Sequence, residues 1–157
     1  MKAWRGFTLI ELMVTVALVA ILASVVVPMS QVSVQRTKEQ DLKLALREIR
    51  NGIDAYKQAV DAGRVYRSGA GAGYPASLSV LVEGTPDLKD PESHKIYFLR
   101  RLPRDPFSND KRLPAEATWG KRSYQSEADD PREGDDVYDV YSLSGSTGLN
   151  GRPYREW

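Results

Sequence analysis

The chain divides into a long apolar run, a stretch with helical periodicity and a remainder of short, turn-rich segments. The apolar run extends from Phe7 to Val27 and is followed by Pro28, and Glu11 is its only ionisable residue. About 20 apolar residues, each rising about 1.5 Å, cross a hydrocarbon core of about 30 Å. The pattern therefore predicts a membrane-spanning helix over 7–28. Because an acid in such a span is costly, we expect Glu11 to have a function and a partner.

The next stretch predicts an amphipathic helix that continues from Met29 to about Ala62. Apolar residues recur at spacings of three and four, and charged residues fill the other side. We expect one helix from Phe7 onward, about 80 Å long and ended by Gly63. Pro28 is predicted to break it locally, because proline removes one backbone hydrogen bond and kinks or loosens a helix. The apolar stripe consists of Leu42, Leu46, Ile49, Ile53, Tyr56 and Val60.

Beyond the long helix, the pattern predicts a short helix near 78–82 and two strands, 119–125 and 137–143. The second strand alternates with a period of two and has one more apolar face. The predicted fold class is α+β, with the long helix packed on a small antiparallel sheet. The acidic segment 127–136 between the strands has two interpretations: a solvated hairpin tip, or a loop that holds calcium through oxygen ligands.

Composition excludes several classes of function. Lys and Arg number 22 against 21 Asp and Glu, and no arginine-rich tract occurs, so no nucleic-acid partner is expected. The absence of cysteine excludes disulfides and thiolate zinc sites. His94 is the only histidine, and no nucleophile–histidine pair or phosphate-binding loop is recognisable, so we predict that the chain is not an enzyme.

The N-terminal run has two general interpretations: a cleaved secretory signal, or a plain single-pass anchor in which Glu11 is incidental. The apolar core of a secretory signal is typically about 7–15 residues long and precedes a small-x-small cleavage site. This run is longer, carries an acid and lacks a convincing cleavage site of that type. Lys2 and Arg5 precede it, which predicts a cytoplasmic N-terminus and a periplasmic body.

Three segments resemble a known family. Residues 6–12, with the sequence GFTLIEL after a short basic leader, resemble the class III signal of type IV pilins and pseudopilins. Residues 99–109 resemble the Leu-Pro-x-Asp-Pro turn of the G-type major pseudopilin of type II secretion, and 137–145 resemble a strand and loop of that family. The turn is formed by Leu102, Pro103, Asp105, Pro106 and Phe107, with Phe107 in place of the family's Trp.

The resemblance implies how the N-terminus is processed and used. A prepilin peptidase would cut between Gly6 and Phe7, and the new amino group of Phe7 would be N-methylated. Glu11 would pair with the terminal amine of a neighbouring subunit, since each buried charge relieves the desolvation penalty of the other. The implied domains are a cleaved leader at 1–6, a transmembrane and filament-core helix at 7–28, and a periplasmic domain at 29–157.

The function implied by the resemblance is that of a structural subunit of a type II secretion pseudopilus. The subunit would sit in the inner membrane, with lipid around its helix, and then join a helical homopolymer of itself. Further implied partners are minor pseudopilins, the prepilin peptidase, and the inner-membrane assembly platform with its ATPase. Two alternatives stay open: a major or minor pilin of a type IV pilus, and a membrane-tethered periplasmic binding module that never polymerises.

The resemblance also implies a structural calcium ion, which the G-type family binds with aspartates of the loop after the last strand. In this chain the corresponding residues 146–157 contain no aspartate. Ser144, Asn150 and backbone carbonyls remain as candidate oxygen ligands, but hard cations without carboxylates bind weakly. We therefore expect no firmly bound calcium and no other cofactor. Tyr154 and Trp157 are predicted to hold the C-terminal segment by apolar burial.

Overall fold

The structure, a computed structural model, describes residues 6–67 and 72–157, and of Val25, Val27 and Pro28 it describes the backbone alone. Residues 1–5 of the predicted leader therefore lie outside the described residues. The chain divides into two compact units, Met1–Thr37 (unit 1) and Lys38–Trp157 (unit 2). The helices and strands are α1 Leu9–Asp61, α2 Ser79–Glu83, β1 Thr85–Pro86, β2 Lys95–Ile96, β3 Trp119–Arg122 and β4 Asp139–Ser142, with 3-10 turns at Ala115–Thr118 and Tyr154–Glu156.

Helix α1 is a single element of 53 residues, as the two apolar patterns predict. It begins two residues after the predicted start and ends one residue before the predicted end. Gly63 follows it with a φ of 67°, and its N–H donates to the carbonyl of Val60 at 2.9 Å. Because glycine adopts this left-handed conformation without a steric penalty, Gly63 ends the helix as expected.

The core of unit 2 is built on the apolar stripe of α1. All six predicted stripe residues are buried, and Leu42, Ile49 and Ile53 have no exposed surface. Burying side chains of this size contributes about 1.5–3 kcal/mol each before conformational entropy is subtracted. The α+β arrangement is thus confirmed, with the helix as its central element. The stripe belongs to one cluster with Val65, Leu78, Leu81, Leu99, Trp119, Val137, Val140 and Tyr154.

The strands form two antiparallel pairs, β1 with β2 and β3 with β4. In the larger pair Trp119 lies opposite Ser142, and Arg122 lies opposite Asp139. In β4 the residues Val140 and Ser142 are buried, while the alternate residues are only partly buried. The predicted alternation of faces is therefore confirmed.

Both strands of the larger pair are shorter than predicted, because the flanking backbone bonds elsewhere. The N–H of Ser123 donates to the carbonyl of Arg132 at 2.9 Å, and the N–H of Val137 donates to the carbonyl of Pro75 at 2.8 Å. These bonds take the chain out of the ladder on both sides of the acidic segment. The segment connects the two strands, as the hairpin interpretation expects.

An ion pair between the exposed Arg64 and the largely buried Asp87 holds the loop that follows α1. Arg64 Nε donates to Asp87 Oδ2 at 3.0 Å, and the N–H of Lys89 donates to Asp87 Oδ1 at 3.0 Å. The N–H of Leu88 donates to the carbonyl of Arg64 at 2.7 Å, so side chain and backbone join the same two segments. The hydrogen bond from Arg64, followed by that from Lys89, lowers the pKa of Asp87, and the same pair raises the pKa of Arg64.

The lowered pKa of Asp87 predicts an acid-sensitive contribution to stability. A carboxyl whose folded pKa lies below its unfolded value of about 3.9 stabilises the protein above that value. This contribution is lost as the pH falls through the folded pKa. We expect Asp87→Asn to flatten the dependence of the unfolding free energy on pH below about pH 5, measured by urea unfolding at several pH values. The exposed Asp129→Asn is the control and should keep the wild-type dependence on pH. If Asp87→Asn also kept the wild-type slope of unfolding free energy against pH, this role of Asp87 would be contradicted.

Gly52 is needed because Leu99 packs directly against α1. A Cβ on Gly52 would lie 2.9 Å from Cγ of Leu99, whose side chain is buried. Alanine favours a helix over glycine by about 1 kcal/mol, but overpacking a core costs about 1–3 kcal/mol. We expect Gly52→Ala to destabilise unit 2 by about 1 kcal/mol net in urea unfolding of the full chain. Gly145→Ala is the control and should leave the stability unchanged, because a Cβ there would meet nothing within 4 Å. A Gly52→Ala variant more stable than the wild type would refute the prediction.

Candidate functional site

The candidate assembly surface is the apolar part of α1 in unit 1. Every side chain that the structure describes from Phe7 to Val26 is exposed. Among the described residues, α1 is the one helix long and apolar enough to cross a membrane, and none of its apolar window is buried. An apolar surface of this extent has to be covered by lipid or by other protein chains. The exposed large residues include Phe7, Leu9, Ile10, Leu12, Met13, Val16, Leu18, Val19, Ile21 and Leu22.

Thr8 organises the start of this helix, a role that the sequence reasoning did not assign. Its Oγ1 accepts the N–H of Glu11 at 3.3 Å, and its carbonyl accepts the N–H of Leu12 at 3.1 Å. A threonine followed three positions later by Glu is the sequence signature of a helix N-terminus, which is the signal that identifies it. The cap places Glu11 in the first turn of α1. There the positive end of the helix dipole favours a carboxylate.

Gly6 and Phe7, the predicted processing residues, precede the first turn of the helix. Both are exposed, and a Cβ built on Gly6 would meet nothing within 4 Å. The peptide bond between them lies outside regular secondary structure, where proteolytic cleavage is favoured. Cleavage at this bond stays a prediction, as does the pairing of Glu11 with an amine.

Pro28, the predicted helix break, lies within α1, which continues on both sides of it. The proline therefore does not end the helix. The expected loosening remains a prediction, because it concerns the missing hydrogen bond rather than the helix assignment.

The family turn packs against the core of unit 2. Leu102 and Phe107 are half-buried and contact the core cluster, and the Phe107 ring stacks on Tyr154 with centroids 4.1 Å apart. The carbonyl of Pro103 accepts the indole N–H of the buried Trp119 at 2.9 Å. The turn thus connects β3 to the C-terminal segment.

Asp105 is the polar centre of this turn and is only 4% exposed. Its Oδ1 accepts the N–H of Phe107 at 2.7 Å, and its Oδ2 accepts the hydroxyl of Ser142, which is fully buried on β4. Its own N–H donates to Thr118 Oγ1 at 3.2 Å. One carboxylate therefore joins the turn to β4, and the backbone of the same residue joins it to the segment before β3.

The C-terminal loop does not present the ligands that a calcium ion requires. Ser144 Oγ accepts the N–H of Ser146 at 3.3 Å, and Asn150 Oδ1 accepts the N–H of Arg152 at 3.0 Å. Both candidate oxygens are therefore engaged with the backbone. Among the described residues, no group of three or more His, Cys, Asp and Glu side chains is placed to hold a metal ion. The residues present do not fit the calcium that the resemblance implies.

Two further polar residues of α1 have structural roles that the sequence analysis missed. Arg50 Nε donates to Asp139 Oδ1 at 2.7 Å, and Arg50 Nη2 donates to Trp157 O at 2.8 Å. Glu39 is buried and accepts two hydrogen bonds from the C-terminal segment. Glu39 lies three residues before Leu42, in the register of the apolar stripe, and a polar residue in that register is the signal that could have identified it.

Comparison with known proteins first defines a class. Residues 1–27 match the family described as the prokaryotic N-terminal methylation motif. This segment contains the capped helix start with Gly6, Phe7 and Glu11, and it defines a class of proteins marked by that N-terminus.

Similar proteins then define the family within this class. The type II secretion system core protein G of Aeromonas hydrophila is 30% identical over 120 residues, which cover 74% of this chain and 76% of that protein. The protein of the same name from Klebsiella pneumoniae is 30% identical over 146 residues, 87% of this chain and 94% of that protein. The one from Pseudomonas aeruginosa is 32% identical over 133 residues, 82% and 86% of the two chains. The chain belongs to the family of the type II secretion system core protein G. No solved structure matches it significantly.

The contacts of Asp105 predict a large effect when its carboxylate is removed. Asp105→Ala would leave the N–H of Phe107 and the buried hydroxyl of Ser142 without this acceptor. Hydrogen bonds to a charged group contribute about 1.5–3 kcal/mol, so we expect a loss of about 2–4 kcal/mol in urea unfolding of the full chain. The exposed Asp129→Ala should change stability by less than about 0.5 kcal/mol. Equal stability of the two variants would show that the turn does not depend on Asp105.

Proposed function

We propose that this chain is a structural subunit of the type II secretion pseudopilus and that it assembles through the exposed apolar surface of α1. The observation that carries the proposal is that every described side chain of this surface is exposed, in a chain that belongs to the core protein G family. A membrane covers the surface before assembly, and copies of the same helix cover it afterwards. The proposal assigns no catalytic role to any residue.

Assembly in this scheme moves each helix from lipid into a bundle of identical helices. The apolar area is out of water in both places, so the hydrophobic effect contributes little to the difference. Packing between helices and specific polar contacts then decide whether a subunit joins. A contact between two different faces of identical subunits does not close on itself and produces a filament.

Glu11 supplies the specific polar contact. Cleavage after Gly6 would create an amino group on Phe7, at the start of the same helix. In a bundle, the carboxylate of one subunit and the amine of the next are both out of water, and each is tolerated only beside the other. The pair therefore selects one axial stagger between neighbouring helices, since any other stagger leaves two buried charges without partners.

The remaining partners and the topology follow from this role. The subunit would be inserted in the inner membrane with its N-terminus in the cytoplasm and unit 2 in the periplasm. The prepilin peptidase would remove residues 1–6, and an assembly platform driven by an ATPase would extract the subunit from lipid. Minor pseudopilins would share the filament. The basic residues Lys2 and Arg5 support this orientation.

Glu11→Gln tests the proposal. The substitution keeps the size of the side chain and removes its charge, so the amine of the neighbouring subunit would be buried without a counter-ion. Breaking one partner of a buried pair costs about 3–5 kcal/mol, which corresponds to more than a hundredfold loss in association. We expect filament yield, measured in cells with the complete secretion system, to fall at least tenfold, together with export.

Two measurements make this experiment decisive. Mass spectrometry of the membrane-bound variant should detect a mature N-terminus at methylated Phe7, which shows that insertion and cleavage are intact. The exposed Glu127→Gln in unit 2 should assemble at the wild-type level. If processed Glu11→Gln assembled as well as the wild type, the filament role of this acid would be wrong. If instead neither the wild type nor the variant formed a filament and both kept their activity, a tethered binding module would be favoured.

A further inference from the structure

The C-terminal segment of unit 2 is held by one carboxylate of the long helix. Glu39 lies on α1, is 8% exposed, and is more than a hundred residues away in sequence from the groups that it binds. Its Oε1 accepts the backbone N–H of Leu149 at 2.8 Å and the phenol O–H of Tyr154 at 2.9 Å. Tyr154 is itself fully buried.

The loop bound by Glu39 is compact and closed on itself. The N–H of Gly148 donates to the carbonyl of Arg152 at 2.8 Å, and Thr147 pairs with Pro153 in an antiparallel bridge. The ring of Tyr154 is stacked on Phe107 and meets Trp157 edge to face, with centroids 5.0 Å apart. Apolar packing therefore fixes the tyrosine, and its hydroxyl is presented to the helix.

The groups that the loop directs at Glu39 are hydrogen-bond donors, whereas a cation site needs oxygen ligands. A calcium ion is bound by oxygen atoms whose lone pairs converge on it. Here the loop directs hydrogen-bond donors, an N–H and an O–H, towards a carboxylate. The candidate oxygens of Ser144 and Asn150 accept backbone N–H groups instead. Residues 146–157 also carry Arg152 and Arg155 against the single acid Glu156, which disfavours a bound cation further.

We infer that in this chain the Glu39 carboxylate holds the C-terminal loop in the place of a metal ion, so that unit 2 folds independently of calcium. The helix supplies the negative charge through Glu39. The loop supplies hydrogen-bond donors, which a cation site does not use as ligands. Arg50 strengthens the same connection, because it reaches Trp157 O and Asp139 from the same helix. The inference concerns the folding of unit 2 and does not depend on whether the chain forms filaments.

The test is the thermal unfolding of the full chain in detergent, with EGTA or with millimolar CaCl₂. We expect wild-type melting temperatures to be equal in the two buffers. Glu39→Ala should lower the melting temperature by about 5–10 °C in both, because two charge-assisted hydrogen bonds are lost. Glu48→Ala, which removes an exposed acid from the same helix, should leave it unchanged.

Two further measurements keep the inference testable if Glu39→Ala does not fold. Tyr154→Phe keeps the stacked ring and removes one donor, so it should lower the melting temperature by fewer degrees than Glu39→Ala, again without an effect of calcium. Amide hydrogen exchange in the wild type should show Leu149 protected to the same extent with EGTA and with CaCl₂. In Glu39→Gln, where a weaker neutral acceptor remains, this amide should exchange several-fold faster.

Several results would overturn the inference that unit 2 folds independently of calcium. A wild-type melting temperature that rises by several degrees with CaCl₂, or protection of Leu149 that is lost in EGTA, would show a cation site and overturn the inference. The inference would also be overturned if the melting temperature of Glu39→Ala, or that of Tyr154→Phe, were as high as the melting temperature of Glu48→Ala. A Glu11→Gln variant that assembled like the wild type would contradict the proposed function but leave these readings unaffected, because they measure the folding of unit 2 alone.

Discussion

Burial of one apolar stripe of α1 is the interaction on which unit 2 depends. Its strands are two and four residues long, and sheets of two such strands are marginal in water without a surface to pack on. The helix provides that surface over five turns, from Leu42 to Val60. The strands, the family turn and the C-terminal segment each contribute only a few side chains to the cluster, and the helix joins them into one core.

Polar contacts then decide which arrangement of these short segments is adopted. Three charged side chains, Glu39, Arg50 and Asp105, each connect parts of the chain that are far apart in sequence. A hydrophobic cluster alone tolerates several packings, whereas a buried carboxylate with two donors in place tolerates very few. The apolar stripe thus supplies most of the stability, and these contacts supply much of the structural specificity.

The helix was predictable because its signal is local and long. The stripe from Leu42 to Val60 repeats over several turns, and the apolar run before it has no competing interpretation as a strand. The strand ends were not predictable: Val137 leaves the ladder because its N–H meets the carbonyl of Pro75. The groups that bind Glu39 are equally remote in sequence. Only the position of Glu39 in register with the apolar stripe distinguishes this residue from the exposed Glu48. The segments at 6–12 and 99–109 supplied the predicted site residues, but the contacts of Asp105 required the structure.

Tryptophan and tyrosine, the main fluorescent residues of a protein, are distributed unevenly between the two units. Apart from Trp4, which lies in the predicted leader, unit 1 contains neither tryptophan nor tyrosine. Trp119 lies in the core of unit 2 with its indole N–H bonded to the carbonyl of Pro103. In a chain cleaved after Gly6, all tryptophan and tyrosine fluorescence would therefore arise from unit 2. Unlabelled protein would report the folding of that unit even while the apolar part of α1 is immersed in a micelle.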